Sequence, residues 1–199
     1  YTTTLLTTLS EDYIKENKDK PFCLYIAHAA PHSPMQGPHE KAIRTEATPE
    51  GDKNSDRSNK EIYKDMVEEL DWSVGRILET LKKYKLDENT FVVFFSDNGP
   101  VINNGGSAGG YKGAKGSPWE GGHRVPGICY MPGTIKEGTT CEQTVMSFDL
   151  FPTMLDMADI HYNDSKKKLD GTSLVPLFKG ENLAPRLLFW GNGNKTISV

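Results

Sequence analysis

Residues 89–100 read NTFVVFFSDNGP: an unbroken apolar run, Phe91 to Phe95, stops on Ser96, Asp97 and Asn98 before Gly99 and Pro100. A short unbroken run closed by turn formers is the pattern of a strand covered on both faces, as in a parallel sheet flanked by helices. The end of the run has two readings. Asp, Asn, Gly and Pro together make a turn. A carboxylate beside a carboxamide also supplies the oxygens that a hard cation such as Ca²⁺ gathers, roughly six to eight at a time. Adjacent strand residues point to opposite faces, so Asp97 and Asn98 can reach one ion only where the chain bends. Two donors do not complete a site, and the stretch by itself reads first as a turn.

Two more apolar runs have strand character, Phe22 to Ala27 (FCLYIA) and Val125 to Met131 (VPGICYM). Between the first and second runs, Ile62, Met66, Leu70, Val74, Ile77, Leu78 and Leu81 recur at spacings of three and four, which predicts a long amphipathic helix. Gly75 lies inside it at a cost of about 1 kcal/mol against Ala, which close packing on a strand would offset. A shorter helix is predicted from Asp149, with Pro152 in its first turn. Strand, helix, strand is the signature of an α/β layered fold with a mainly parallel sheet. Residues 44–59 read as an exposed, mobile loop and residues 163–168 as a connector, which divides the chain into an α/β body over 1–160 and a C-terminal segment over 161–199.

Composition narrows the function classes. The 199 residues carry a net charge of −4 with both signs interspersed, which argues against a nucleic-acid partner. No apolar run approaches the roughly 18 residues of a membrane span, and no signal peptide is visible. The opening YTTTLLTTLSEDYIKE lacks Met and reads as the start of an excised piece. Cys23, Cys129 and Cys141 are too scattered for a disulfide scaffold or a zinc site. The first two sit in apolar runs and are expected as buried thiols. Sequons at Asn163 and Asn194 carry little weight.

Chemistry-bearing residues cluster after the strand-like runs, where α/β sheets place their sites. In AHAAPHSP, Pro31 makes a helical pairing of His28 with His32 unfavourable, and a proline-braced loop holding His32 is the alternative. His32 reads equally as an active-site imidazole or a hydrogen-bonded structural one, and His28 as structural. The stretch GGSAGGYKGAKGSPWEGGHR, residues 105–124, matches neither a P-loop nor a dinucleotide fingerprint. Its glycines let backbone approach a ligand, and a lysine on such a loop is a point charge suited to a tetrahedral oxyanion. Trp119, Glu120 and Arg124 are odd choices for a mere spacer. In LLFWGNGNK, Trp190, Asn192 and Asn194 are candidates for a sugar-binding rim, against the simpler reading of a strand entering a turn.

Taken in order, PFCLYIAHAAPHSP, YKDMVEELDWSVGRILETL, NTFVVFFSDNGP, GAKGSPWEGGHRVPGICYMPGTI, DLFPTMLDMA and LDGTSLVPLFKG resemble the type I sulfatases of the alkaline-phosphatase-like superfamily. Arylsulfatase and N-acetylhexosamine-6-sulfatase members are the nearest in flavour. The resemblance implies an alkaline-phosphatase-like layered fold truncated on its N-terminal side, with residues 1–160 forming the C-terminal part of the catalytic domain. It implies Asp97 and Asn98 as Ca²⁺ ligands, Lys115 as a sulfate contact, and His32 as sulfate contact and proton donor to the leaving alcohol. Glu120 and Arg124 would support the lysine loop.

The family's nucleophile lies in C-x-P-x-R or S-x-P-x-R, oxidised to formylglycine, and no such motif occurs in this chain. The resemblance therefore implies that the fragment alone is inactive and holds an incomplete calcium site. It implies a missing N-terminal part as partner, a sulfated saccharide or aryl sulfate as substrate, and an extracytoplasmic location for the parent. The rivals are a phosphodiesterase or phosphonate monoester hydrolase of the same superfamily and a non-catalytic sulfated-glycan-binding relic.

Overall fold

The computed structural model describes residues 1–41, 56–163, 167–191 and 197–198. They form two compact units, residues 1–90 with 98–124 and residues 91–97 with 125–199.

The first unit is built on two helices, α1 (Thr2–Asn17) and α2 (Asn59–Lys83). Ser58 and Glu61 close a reciprocal capping box at the start of α2, which satisfies backbone donors the first helical turn leaves open. Ile62, Met66, Ile77 and Leu81 of its predicted stripe are buried, and Leu70, Val74 and Leu78 are half-buried. Gly75 corrects its expectation: a Cβ there would meet nothing within 4 Å, so no close packing offsets its cost.

Helix α1 was outside the sequence expectation, and its buried side explains why. Thr3, Thr7 and Ser10 are buried with Ile14, so hydroxyls stand where an apolar stripe would announce a helix. The Thr7 and Ser73 hydroxyls meet at 2.6 Å in the buried α1–α2 seam. Thr4 donates to the Glu69 carboxylate at 2.7 Å, and Arg76 pairs with Glu11 at 2.7 Å.

The predicted strand over Phe22 to Ala27 takes part in no ladder among the described residues. Its side chains alternate, with Phe22, Leu24 and Ile26 half-buried, Cys23 and Ala27 exposed, and Tyr25 81% exposed. That period of two fits an extended segment covered on one face, not on both. Cys23 is consequently an exposed thiol, against expectation.

In the second unit β1 (Val92–Phe95) pairs antiparallel with β2 (Gly127–Tyr130), from Val92 opposite Tyr130 to Phe95 opposite Gly127. A two-residue ladder, Trp190–Gly191 with Ile197–Ser198, is antiparallel as well. The mainly parallel sheet expected from the sequence is absent among the described residues. All four β1 residues are half-buried, with no alternation along the strand. Cys129 on β2 is half-buried, and burial pushes its thiol pKa up, with the Cys141 charge adding to the rise.

The short helix α3 (Glu120–His123) belongs to the first unit, and α4 (Leu150–Met157) forms where Pro152 predicts it. Asp149, immediately before α4, is fully buried. It accepts hydrogen bonds from the Met146 amide at 2.8 Å, the Thr172 amide at 3.0 Å and the Arg186 guanidinium at 2.6 Å. Burial pushes its carboxyl up, but these bonds outweigh it and hold the pKa below the usual carboxylate range. Thr153 accepts from the Leu174 amide at 2.9 Å, so Asp149 at the start of α4 and Thr153 within it fasten the returning segment. Residues 44–55, Asn192, Asn194 and residues 164–166 lie outside the described residues. No helix among the described residues is long and apolar enough to cross a membrane.

Candidate active site

Two motifs separated in the sequence are laid side by side by backbone alone. The Gly99 amide donates to the Gly122 carbonyl at 2.8 Å, and the Lys115 amide donates to the Pro100 carbonyl at 3.0 Å. Gly99 is buried, and a Cβ placed there would stand 2.0 Å from the Gly121 carbonyl oxygen. Only glycine admits that approach. The NGP stretch and the lysine loop are thereby registered against each other within one unit.

The lysine loop folds back on itself. The Gly121 amide donates to the Lys112 carbonyl at 2.8 Å, and the Ser117 amide to the Ala114 carbonyl at 3.0 Å. The second bond closes a turn with Lys115 and Gly116 at its centre, and Gly116 has a φ of +83°. Lys115 thus stands at the crest of a turn, exposed, on the rim of a hollow lined by Pro100, Val101, Ile102, Asn103 and Ala114. A lysine held by its backbone while its ammonium faces outward is suited to meet an anionic oxygen.

His32 is exposed, and its amide closes a turn onto the Ala29 carbonyl at 2.8 Å. Its Nδ1 lies 2.6 Å from the Ser33 carbonyl. A carbonyl only accepts, so Nδ1 carries the proton and Nε2 is the nitrogen left to give or take one. His28 differs: it is half-buried, its buried Nδ1 meets no hydrogen-bond partner among the described residues, and burial lowers its pKa. His32 and Lys115 belong to the same unit, and no hydrogen bond or ion pair joins them.

Asp97 is exposed at the end of the β1 segment, and Asn98 is half-buried. The Asn98 side-chain amide donates to the Gly99 carbonyl at 3.0 Å, which orients the group; an amide meets a cation through its oxygen. No group of three or more His, Cys, Asp or Glu suited to a metal occurs among the described residues. The Asp97 and Asn98 donors fit a hard cation by type and fall short by number.

Sequence reasoning singled out Trp119, Glu120 and Arg124, counted Lys112 as one of two loop lysines without giving it a role, and passed over Tyr111. The Lys112 ammonium lies 3.7 Å from the Trp119 ring centroid, and the Arg124 guanidinium 4.6 Å from that of Tyr111. Arg124 also pairs with Glu120 at 2.9 Å, four residues apart across α3. A loop with two aromatics and three cations within fourteen residues is the signal that was available.

Comparison with known proteins accords with these motifs. A family model described as Sulfatase matches residues 1–160. Human steryl-sulfatase is 32% identical over 89% of this chain and 29% of its own length. N-acetylgalactosamine-6-sulfatase of Canis lupus familiaris is 35% identical over 94% of this chain and 34% of its own. Among solved structures, Ps i-CgsB in complex with k-i-k-neocarrahexaose superposes with a TM-score of 0.78 at 33% identity, covering 92% of this chain and 39% of that one. The chain thus spans about a third of the length of the curated relatives it matches. With four-fifths of its residues matched by the family model, the chain belongs to the sulfatase family.

Proposed function

We propose that the protein containing these residues hydrolyses sulfate esters, carried on a saccharide or an aryl group, outside the cytoplasm. The observation that carries the reading is the pair of backbone bonds that set the lysine loop against Gly99 and Pro100, with Lys115 on Pro100, in a chain of this family. Lys115 meets sulfuryl oxygens and offsets their charge as the ester bond breaks, the kind of electrostatic contribution that is often the largest in catalysis. Charge on a preorganised turn needs no rearrangement at that moment. His32, with Nδ1 fixed on the Ser33 carbonyl, holds a proton on Nε2 for the oxygen of the departing alcohol.

Asp97 and Asn98 would hold a Ca²⁺ together with donors from elsewhere in the protein, and the bound ion would polarise the sulfate as a Lewis acid. Residues 1–160 are read as the C-terminal part of the catalytic domain and 161–199 as a connector and the start of a further segment. No formylglycine motif occurs in residues 1–199, so the nucleophile comes from other residues of the protein, and this chain alone turns over no sulfate ester.

The test is hydrolysis of 4-nitrophenyl sulfate by the full-length protein, compared with the corresponding phosphate diester and phosphonate, with and without a calcium chelator. Turnover of the sulfate ester above the other two, lost on chelation and restored by Ca²⁺, is the expected result. Preference for the phosphonate or diester would move the protein to that branch of the superfamily. Binding of sulfated glycan with no turnover of any ester would leave a non-catalytic relic.

A further inference from the structure

The lysine loop carries more machinery than a single sulfate contact requires. Trp119 is 52% and Tyr111 43% exposed, so two large rings stand in water within one short loop. Isolated exposed aromatics are ordinary, but each of these is paired with a cation. Lys112 lies over Trp119 at 3.7 Å and Arg124 over Tyr111 at 4.6 Å. The base of the Trp119 side chain is set by backbone packing: a Cβ on Gly113 would come within 2.8 Å of the Trp119 Cβ. The Gly121 amide bond to the Lys112 carbonyl ties the two arms of the loop at the same level. The ring is therefore held at its base and by a cation, with about half its surface open.

From 111 to 124 the loop holds Lys112, Lys115 and Arg124 against one carboxylate, Glu120, which Arg124 already engages. An aromatic ring with a cation over one face offers its other face to the C–H side of a sugar and the cation to anionic substituents at that sugar's edge. Lys112 is three residues from Lys115, at most about 10 Å along the chain. A neighbouring sugar falls within that span.

We propose that Trp119 and Lys112, flanked by Tyr111 and Arg124, form a saccharide subsite that docks the sugar ring adjacent to the one whose sulfate meets Lys115. The proposal rests on the sulfate-ester reading and extends it to an oligomeric, polyanionic carbohydrate as the preferred substrate. Trp119 stacks on the apolar face of the ring, and Lys112 pairs with an anionic group at its edge. A bracing role for the same residues would act on every substrate alike, whereas a subsite acts only on substrates long enough to reach it.

The experiment compares the full-length wild-type protein with Trp119→Ala, Trp119→Phe and Lys112→Gln on two substrates, a sulfated neocarrahexaose and 4-nitrophenyl sulfate. The readout is the ratio of kcat/KM for the two. The proposal expects this ratio to fall at least tenfold in Trp119→Ala and several-fold in Lys112→Gln, with Trp119→Phe restoring most of it. A ratio unchanged in all variants, whether both activities fall together or neither does, overturns the subsite and leaves the sulfatase reading standing.

Binding of sulfated and desulfated neocarrahexaose, followed by titration calorimetry, separates the two readings. If wild type hydrolyses neither substrate, yet binds the sulfated hexasaccharide at least tenfold more tightly than Trp119→Ala does, the subsite stands and the catalytic reading falls. If wild type and Trp119→Ala bind it equally, or neither binds it, the subsite is excluded. Equal binding of the desulfated sugar by wild type and Lys112→Gln is expected, and a loss there would contradict the charge role of Lys112.

Discussion

The helix pair α1–α2 and the loop over residues 98–124 are held together by opposite means. In the helices side chains do the holding: Ile14, Ile62, Met66 and Leu81 are buried, and the Thr7 and Ser73 hydroxyls lock the seam. In the loop the backbone packs on itself, with Gly99 on Gly121 and Gly122 and with Gly121 against Gly113. A helix seam can take up part of a volume change by repacking its side chains, at a cost. Backbone packed on backbone has none, and a single methyl group must push a carbonyl aside. The rigid region is accordingly the one that presents Lys115.

The largest effect is expected in the other unit, at Asp149, where a side chain satisfies backbone amides. Asp149→Ala leaves Arg186 without its carboxylate partner and two amides without an acceptor, which should cost about 3–5 kcal/mol. Hydrogen exchange at the Met146 and Thr172 amides of the full-length protein checks it, with protection lost in the variant. Because bonding holds the folded pKa of Asp149 below its unfolded value, its contribution is complete above about pH 4. It fades as pH falls below that point. The gap between wild type and Asp149→Asn should therefore close in acid.

The comparison itself is tested by two glycines. Gly99→Ala brings a Cβ to 2.0 Å from the Gly121 carbonyl oxygen and should cost about 2–3 kcal/mol, read in urea midpoints and in faster exchange of the Lys115 amide. Gly75→Ala meets nothing within 4 Å in the middle of α2 and should stabilise by about 0.5–1 kcal/mol. Equal effects of the same sign would erase the distinction between the two regions.

How much of this was legible in the sequence follows the same division. Helix α2 was announced by the spacing of Ile62, Met66, Ile77 and Leu81, because period carries information where side chains pack. Helix α1 was not, because its buried side is Thr3, Thr7 and Ser10, residues that report no hydrophobic period. The run FVVFF was read as a strand covered on both sides of a parallel sheet, and Val92–Phe95 forms a half-buried strand that pairs antiparallel. Strand direction depends on which partner is reached, and an apolar run does not encode its partner. In the candidate site, His32, Asp97, Asn98 and Lys115 were nominated by the resemblance of the ordered motifs, not by any periodicity. The two backbone bonds that register NGP against GAKG involve no side chain and leave only glycine as their trace.

The central claim is that Lys115, fixed by its backbone at the turn crest, offsets the charge of a sulfate ester. It is tested most directly by kcat/KM of the full-length protein on 4-nitrophenyl sulfate with Lys115→Met, alongside the urea midpoint of the same variant. The account predicts a fall of about a hundredfold or more, in the range seen when one preorganised charge-stabilising group is removed, with the midpoint unchanged. An unaltered rate in a folded Lys115→Met protein would contradict it.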